Sequence, residues 1–328
     1  MGAILVSGGA GYIGSHTVKA LIEKGYRVVV LDSLVTGHVQ AVPAGADFYQ
    51  GDIDDQMLLE SITQKHEVEA VIHFAALSLV GESMKQPDLY FNENMAKTNL
   101  FVSHLIKAGI NKIVFSSTAA AYGLPEEVPL TEESRCLPIN PYGLSKLMIE
   151  QSLAWYERAY GLKWIALRYF NAAGAALDGS IGEDHKPETH LIPLVLKTAL
   201  GQRESIGIFG TDYHTPDGTC IRDYIHVLDL AEVHIRALEK LDEGICGVFN
   251  VGMGKGYSVR EVIEEAKRIT GREIPIQETE RREGDPDILV AGVEKIRHQL
   301  GWEARYSDLE TILKSAWCWH WEHPEGYR

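Results

Sequence analysis

The sequence is short of cysteine, of basic charge and of long apolar runs, and each shortage removes a class of protein. Its 328 residues include four cysteines, Cys136, Cys220, Cys246 and Cys318. They are widely spaced with no Cys-x-x-Cys pair, which argues for reduced thiols and against a zinc site. Two of the thirteen histidines, His320 and His323, lie near Cys318, but Trp317, Trp319 and Trp321 share that stretch, which reads more simply as a docked chain end. No metal is assigned. Lys and Arg total 31 against 46 Asp and Glu, a formal charge of −15 that disfavours nucleic acid or an anionic membrane surface as main partner. Any phosphate-bearing ligand therefore needs local arginines. No apolar run approaches the ~18 residues of a membrane span. The chain enters a strand within three residues of its start, leaving no room for a signal peptide, so a cytoplasmic location is expected. There are no internal repeats or low-complexity segments.

What is present begins at the N-terminus. The apolar run Ala3-Ile4-Leu5-Val6-Ser7 reads as a buried parallel strand, and a helical pattern follows from Ser15 to Lys24. Between them Gly8, Gly11 and Gly14 fall three apart, permitting a tight turn, close approach of backbone to a pyrophosphate at a helix N-terminus, and close packing of helix on strand. The next strand, Arg27 to Leu31, ends in Asp32, whose carboxylate suits the adenosine ribose hydroxyls and repels a 2′-phosphate. That succession points to a dinucleotide, with NAD favoured over NADP.

Further strand-like runs at 70–75, 112–116 and 163–169 alternate with helical patterns, which predicts an α/β fold built on a doubly wound, Rossmann-like parallel sheet. Ligands of such sheets bind beyond the carboxyl ends of the strands. This selects Asp32-Ser33, Asp52-Ile53, Ala75-Ala76-Leu77, Ser116-Ser117-Thr118 and Tyr169-Phe170-Asn171. From Ala172 to Pro193 the texture turns to Gly, Ala, Asp and Glu with weak periodicity, as a smaller α/β substrate-binding domain begins. A strand Asp223–Val227 and a helix from Leu230 to Lys240 are expected to return to the first domain, while helix 258–270 and Ile274-Pro275-Ile276 belong to the second. The expected division is 1–171 plus about 222–245 for the NAD-binding domain, and 172–221 plus 246–328 for the other.

The chemistry centres on Tyr142 and Lys146, four apart in Asn140-Pro141-Tyr142-Gly143-Leu144-Ser145-Lys146. On a helix these share a face, so the ammonium is expected to favour the ionised phenol and bring it toward use as a general acid or base.

The glycine phrase, Ser117-Thr118, Tyr142-x-x-x-Lys146, Arg168-Tyr169-Phe170-Asn171, Arg222-Asp223-Tyr224-Ile225-His226-Val227 and Arg281-Arg282-Glu283-Gly284-Asp285 resemble, essentially end to end, the UDP-glucose 4-epimerase family of extended short-chain dehydrogenases/reductases. The resemblance implies that UDP-glucose and UDP-galactose are interconverted on tightly bound NAD through a 4-keto sugar. Tyr142 then takes the 4-hydroxyl proton, directly or through Thr118, and Lys146 orients the nicotinamide ribose. The implied cofactor contacts are Tyr12 and Ile13 at the helix start, Asp32, Ser33, Leu34, Val35, Thr36 and Gly37, and Asp52 and Ile53 at the adenine. They continue with Phe74, Ala75, Ala76, Leu77 and Ser78, then Asn94 and Phe170. Substrate positions implied are Asn171, His190, Leu191, Gly207, Ile208, Phe209, Asp285 and Leu289, with Arg222 and Arg282 as diphosphate clamps. Ser78 stands where a lysine is frequent, Glu93 where an asparagine is usual, and His190 where an asparagine is often found. Leu289 stands where a tyrosine narrows the sugar pocket in some epimerases, so N-acetylated UDP-sugars are possible substrates. A homodimer through 92–109 and 144–160 is implied by the resemblance alone.

Two rivals remain. A 4,6-dehydratase shares these motifs but needs acidic residues directly after the Ser/Thr, where this chain has Ala119 and Ala120. A redox-sensing binding protein keeps the NAD fold but usually loses the tyrosine or lysine.

Overall fold

The computed structural model describes residues 2–282 and 284–328. These form strands β1 (Ala3–Ser7), β2 (Arg27–Asp32), β3 (Asp47–Gln50), β4 (Val68–His73), β5 (Lys112–Thr118), β6 (Lys163–Tyr169), β7 (Asn171–Ala173), β8 (Ile206–Phe209), β9 (Ile221–His226), β10 (Gly247–Val251), β11 (Gly256–Ser258), β12 (Ile276–Thr279) and β13 (Ile288–Leu289). Seven of them make one sheet in the order β10-β6-β5-β4-β1-β2-β3, every pair parallel. The order reverses between β1 and β4, which is where a doubly wound sheet opens a ligand crevice.

Unbroken apolar runs are what such a sheet requires, because helices cover both faces. On one face Ile4, Val6, Val28, Val30 and Ile72 pack with Val18 and Leu21 of helix Tyr12–Glu23 and with Leu230 and Val233 of helix Val227–Asp242. On the other, Leu5, Val29, Leu31 and Val71 meet Leu59 and Ile62 of helix Gln56–His66, Phe101 and Leu105 of helix Lys97–Lys107, and Ile149 and Leu153 of helix Pro141–Tyr160. Successive residues of one strand thus serve two cores, as period-two alternation dictates.

A smaller sheet runs β11-β9-β13, with β7 also on β9, and β8 pairs with β12 separately. Its core joins Ile192, Val195 and Leu196 of helix Leu191–Ala199 to Val262 and Ile263 of helix Val259–Thr270 and to Ile312 and Leu313 of helix Leu309–Glu322.

Several expectations need correction. Phe74 and Ala75 lie past the end of β4, whereas β5 runs on to Thr118. The helix expected from 92 begins as a π-helical turn, Phe91–Ala96, before the regular helix at Lys97. Strand β9 does not return to the large sheet. Asn171–Ala173 pairs with its second half and Gly256–Ser258 with its first, which holds it in the small one, and only the amphipathic helix after it packs on the large sheet. The strand that does return is β10, pairing Gly247–Val251 with Ile165–Tyr169, inside a stretch expected in the second domain. Among the described residues, no helix is long and apolar enough to cross a membrane.

Candidate active site

A cavity of about 980 Å³ lies beyond the carboxyl ends of β1, β4 and β5 and is closed on its far side by the smaller sheet. Its floor is the turn from β1 into helix Tyr12–Glu23. A Cβ on Gly14 would stand 2.1 Å from the carbonyl oxygen of Gly8, and Gly8 itself has φ +77° against the backbone of Ala75. No side chain caps the helix at Gly11, so the first-turn N–H groups keep no partner of their own. Space, donors and the positive end of the helix dipole coincide, which suits a pyrophosphate. Asp32 Oδ2 accepts the Ala10 N–H at 2.9 Å and Oδ1 the Leu34 N–H at 2.8 Å. Each oxygen keeps a further lone pair for ribose hydroxyls. Burial raises the pKa of Asp32 while these two N–H groups oppose the rise. The residues present therefore fit NAD.

Tyr142 and Lys146 share the inner face of helix Pro141–Tyr160, whose start is fixed by Pro141 and by Asn140 Oδ1 accepting the Gly143 N–H at 2.8 Å. Lys146 is buried over the Phe115 ring, 4.9 Å from its centroid, and Nζ donates to the Ser116 carbonyl at 2.8 Å. Burial brings its pKa down to about 7, against Glu150. Burial also raises the phenol of Tyr142, with the Thr118 hydroxyl pulling it back. Burial thus weakens the charge on Lys146 and opposes ionisation of the phenol, while the amine donates to the Ser116 carbonyl. Thr118, the last residue of β5, accepts the Ala120 N–H at 3.1 Å and lines the cavity beside Tyr142.

One turn further along that helix, Glu150 receives Arg168 of β6 through Nε at 2.9 Å and Nη2 at 2.5 Å, together with the Ser117 hydroxyl. Both charges are buried, and the guanidinium lies over the Tyr122 ring. Arg168 and Ser117 therefore fasten helix Pro141–Tyr160 to β6 and β5.

The opposite wall is built differently. Arg222 Nη2 is paired with Asp285 Oδ1, while Nη1 donates to the Ile221 carbonyl at 2.7 Å. Arg282 lies over Phe209, 3.8 Å from the ring centroid. Asn171 Nδ2 donates to the Asp223 carbonyl at 2.9 Å. Half-exposed His190 precedes helix Leu191–Ala199; against burial, which would lower it, Glu183 and Glu188 hold its pKa up at about 9. Leu191, Gly207, Ile208, Phe209 and Leu289 complete this side. Of the family string at 281–285, Glu283 lies outside the described residues.

The cavity wall gathers nearly every residue singled out in the sequence, but three implied cofactor contacts lie behind it. Leu34, at φ +61°, is turned by its bond to Asp32. Gly37 backs onto Ala10, where a Cβ would come within 3.0 Å. Asn94, fully buried, brackets Leu77 by accepting its N–H at 2.8 Å and donating to its carbonyl at 2.9 Å, and reaches Ser145 Oγ at 3.2 Å. Asp52, expected at the adenine, is bonded to Lys97 at 2.6 Å, and Lys97 also meets Glu93 at 2.8 Å. Sequence reasoning missed Lys97, Glu150 and the group Glu183, His185 and Glu188. The i,i+4 spacing of Glu93 and Lys97 was a usable signal, as was the pattern Glu-x-His-x-x-Glu-x-His from 183 to 190.

The chain is similar to known proteins along its length. A curated UDP-glucose 4-epimerase from Halalkalibacterium halodurans is 55% identical over 326 residues, covering 99% of this chain and 97% of its own. The solved structure of UDP-glucose 4-epimerase from Bifidobacterium longum in complex with NAD+ and UDP superposes with a TM-score of 0.92 at 37% identity, covering 99% of this chain and 100% of its own. That of the UDP-Glc/GlcNAc 4-epimerase from Campylobacter jejuni gives 0.87 at 41%, covering 98% and 100%. The model of the NAD dependent epimerase/dehydratase family matches residues 4–252. A match running from the first strand of the large sheet to its last leads to one conclusion, that the chain belongs to the NAD dependent epimerase/dehydratase family.

Proposed function

We propose that the chain interconverts UDP-glucose and UDP-galactose by inverting C4 of the sugar, with no net oxidation. The observation that carries this reading is one cavity with an uncapped glycine-rich helix start and the Tyr142, Lys146 and Thr118 group on one side and two arginines on the other. NAD held on the glycine-rich helix start and Asp32 would supply a hydride acceptor and donor for C4 of the sugar. Tyr142 takes the 4-hydroxyl proton, directly or through Thr118, and gives it back to the keto oxygen once the sugar has turned its other face. Lys146 positions the ribose. Arg222 and Arg282 hold the diphosphate while the hexose rotates, so contacts to the nucleotide must be firm and those to the sugar few.

Incubating the purified chain with UDP-galactose, without added nucleotide, and following products by NMR tests the reading: UDP-glucose is expected to accumulate to equilibrium, and unchanged substrate with replenished NAD overturns it. Tyr142→Phe is expected to lose roughly 10²–10⁴-fold in kcat, the usual worth of a general acid–base group, with NAD still bound. Unchanged turnover removes that role.

Leu289, on β13 beside Arg222 of β9, gives the sugar end an apolar, half-buried wall shorter than tyrosine. Turnover of UDP-GalNAc follows, and Leu289→Tyr should abolish it while sparing UDP-galactose; equal turnover of both sugars by that variant removes the assignment. Leu100, Leu144, Trp155 and Tyr160 are exposed on helices Lys97–Lys107 and Pro141–Tyr160, which suits burial of this helix pair against a second copy as a four-helix bundle. Sedimentation at a dimer mass is the expected result. Four unpaired thiols fit a reducing compartment, the cytoplasm.

A further inference from the structure

We infer that Glu183, His185, Glu188 and His190 form a site for a divalent transition-metal ion of the zinc class, on the loop that leads into helix Leu191–Ala199. One ligand atom from each lies within 4.8 Å of the other three. His190 Nδ1 stands 2.5 Å and His185 Nδ1 3.1 Å from Glu183 Oε1, while the two Glu188 oxygens each face one of these nitrogens at 3.7 Å. Ligands held at about 2.0–2.2 Å around a tetrahedral centre are separated by roughly 3.3–3.6 Å, so small side-chain rotations convert this cluster into a coordination shell. Two imidazoles and two carboxylates are a zinc-like donor set; magnesium and calcium prefer oxygen throughout.

A second observation points the same way. The Glu183 and Glu188 side chains are each only 4% exposed, and Glu188 Oε2 has no hydrogen-bond partner although it is aimed into the cluster. An unsatisfied buried carboxylate oxygen is costly, and a cation at that point removes the cost. The other oxygen, Oε1, accepts the N–H groups of Thr189 at 2.7 Å and His190 at 2.9 Å, which fixes the orientation of the carboxylate. The His185 ring is held edge-on to both Tyr12 and His190. Half-exposed His190 leaves an entry path from the cavity. Bound metal ties the loop at four points, so its effect is expected on stability first.

The chelator-treated protein, titrated with Co2+ alone, should take up one ion per chain and show the visible d–d absorption of a four-coordinate site, with zinc displacing it and a rise in Tm for either ion. His185→Gln and Glu188→Gln, each checked for native circular dichroism, should bind at least about tenfold more weakly and lose the Tm rise. Absence of stoichiometric uptake overturns the site, as does equal affinity in wild type and both folded variants. Equal protection by Mg2+ overturns the assignment of metal class.

Discussion

The two walls of the cavity hold their charged groups in opposite ways. On the large-sheet wall Asp32 and Lys146 are buried and bonded to backbone, and behind it Glu150 is buried and bonded to Arg168 and Ser117, so that wall is complete before any ligand arrives. On the small-sheet wall Arg222 pairs with Asp285, and Arg282 rests on a half-exposed phenylalanine, so a ligand must exchange these partners for its own oxygens. A preorganised wall suits a cofactor that stays through many turnovers; an exchangeable one suits a nucleotide sugar that must leave each time. The difference arises from neighbours in the fold rather than from residue type, since both walls use carboxylates and basic groups.

The largest effect is expected where backbone meets backbone. Gly14→Ala places a methyl 2.1 Å from the Gly8 oxygen, and neither element can yield without moving the helix off β1. NAD should no longer survive gel filtration with the protein, and epimerisation should fall by about 100-fold or more, the scale of a 1 Å misplacement. Retained cofactor would mean that this wall is softer than its packing indicates. Arg168→Met comes next. It leaves Glu150 as an uncompensated buried charge, which typically costs about 3–5 kcal/mol and is measured as a lower urea midpoint with an unchanged slope. The matching change opposite, Asp285→Asn, breaks a partly exposed pair and should cost under about 1 kcal/mol in stability. Arg222→Ala should weaken UDP binding by roughly 10- to 100-fold in calorimetry, the worth of one charge-assisted contact. A stability loss at Asp285→Asn equal to that at Arg168→Met would erase the contrast.

The sequence disclosed residues of both walls more readily than the burial and pairings that position them. Gly8, Gly14 and Asp32 are legible because the demands on them are local: a turn, a close approach, and the end of a strand of known direction. Tyr142 and Lys146 are legible because a helix fixes what i and i+4 share. What the spacing could not supply was the dielectric around them, and the same burial that places Lys146 on the inner face also brings its pKa down to about 7. Strand β9 was misassigned because its alternating pattern fits either sheet, and only the pairing of Asn171–Ala173 and Gly256–Ser258 decides which. Short β3 and glycine-led β10 lack the long apolar run that marked β1 and β2. The bond between Glu150 and Arg168 joins residues far apart in the chain, so neither residue signals it alone.

The remaining expected effect is a pH dependence tied to one residue of the preorganised wall. Burial in the folded chain brings the pKa of Lys146 down to about 7 from the 10.5 of a free lysine. Between these values the unfolded state carries the extra proton, so the contribution of Lys146 makes stability rise with pH from about 7 to about 10 and level off outside that window. Lys146→Met removes the group with little change in volume, and subtracting its melting curve from that of the wild type cancels most other titrations. The wild type should gain on the variant as pH is raised from about 7 to about 9, by no more than the slope of one proton. A difference flat across that range would mean that Lys146 stays charged inside the wall, where it would favour the ionised phenol of Tyr142 as the helix spacing leads one to expect.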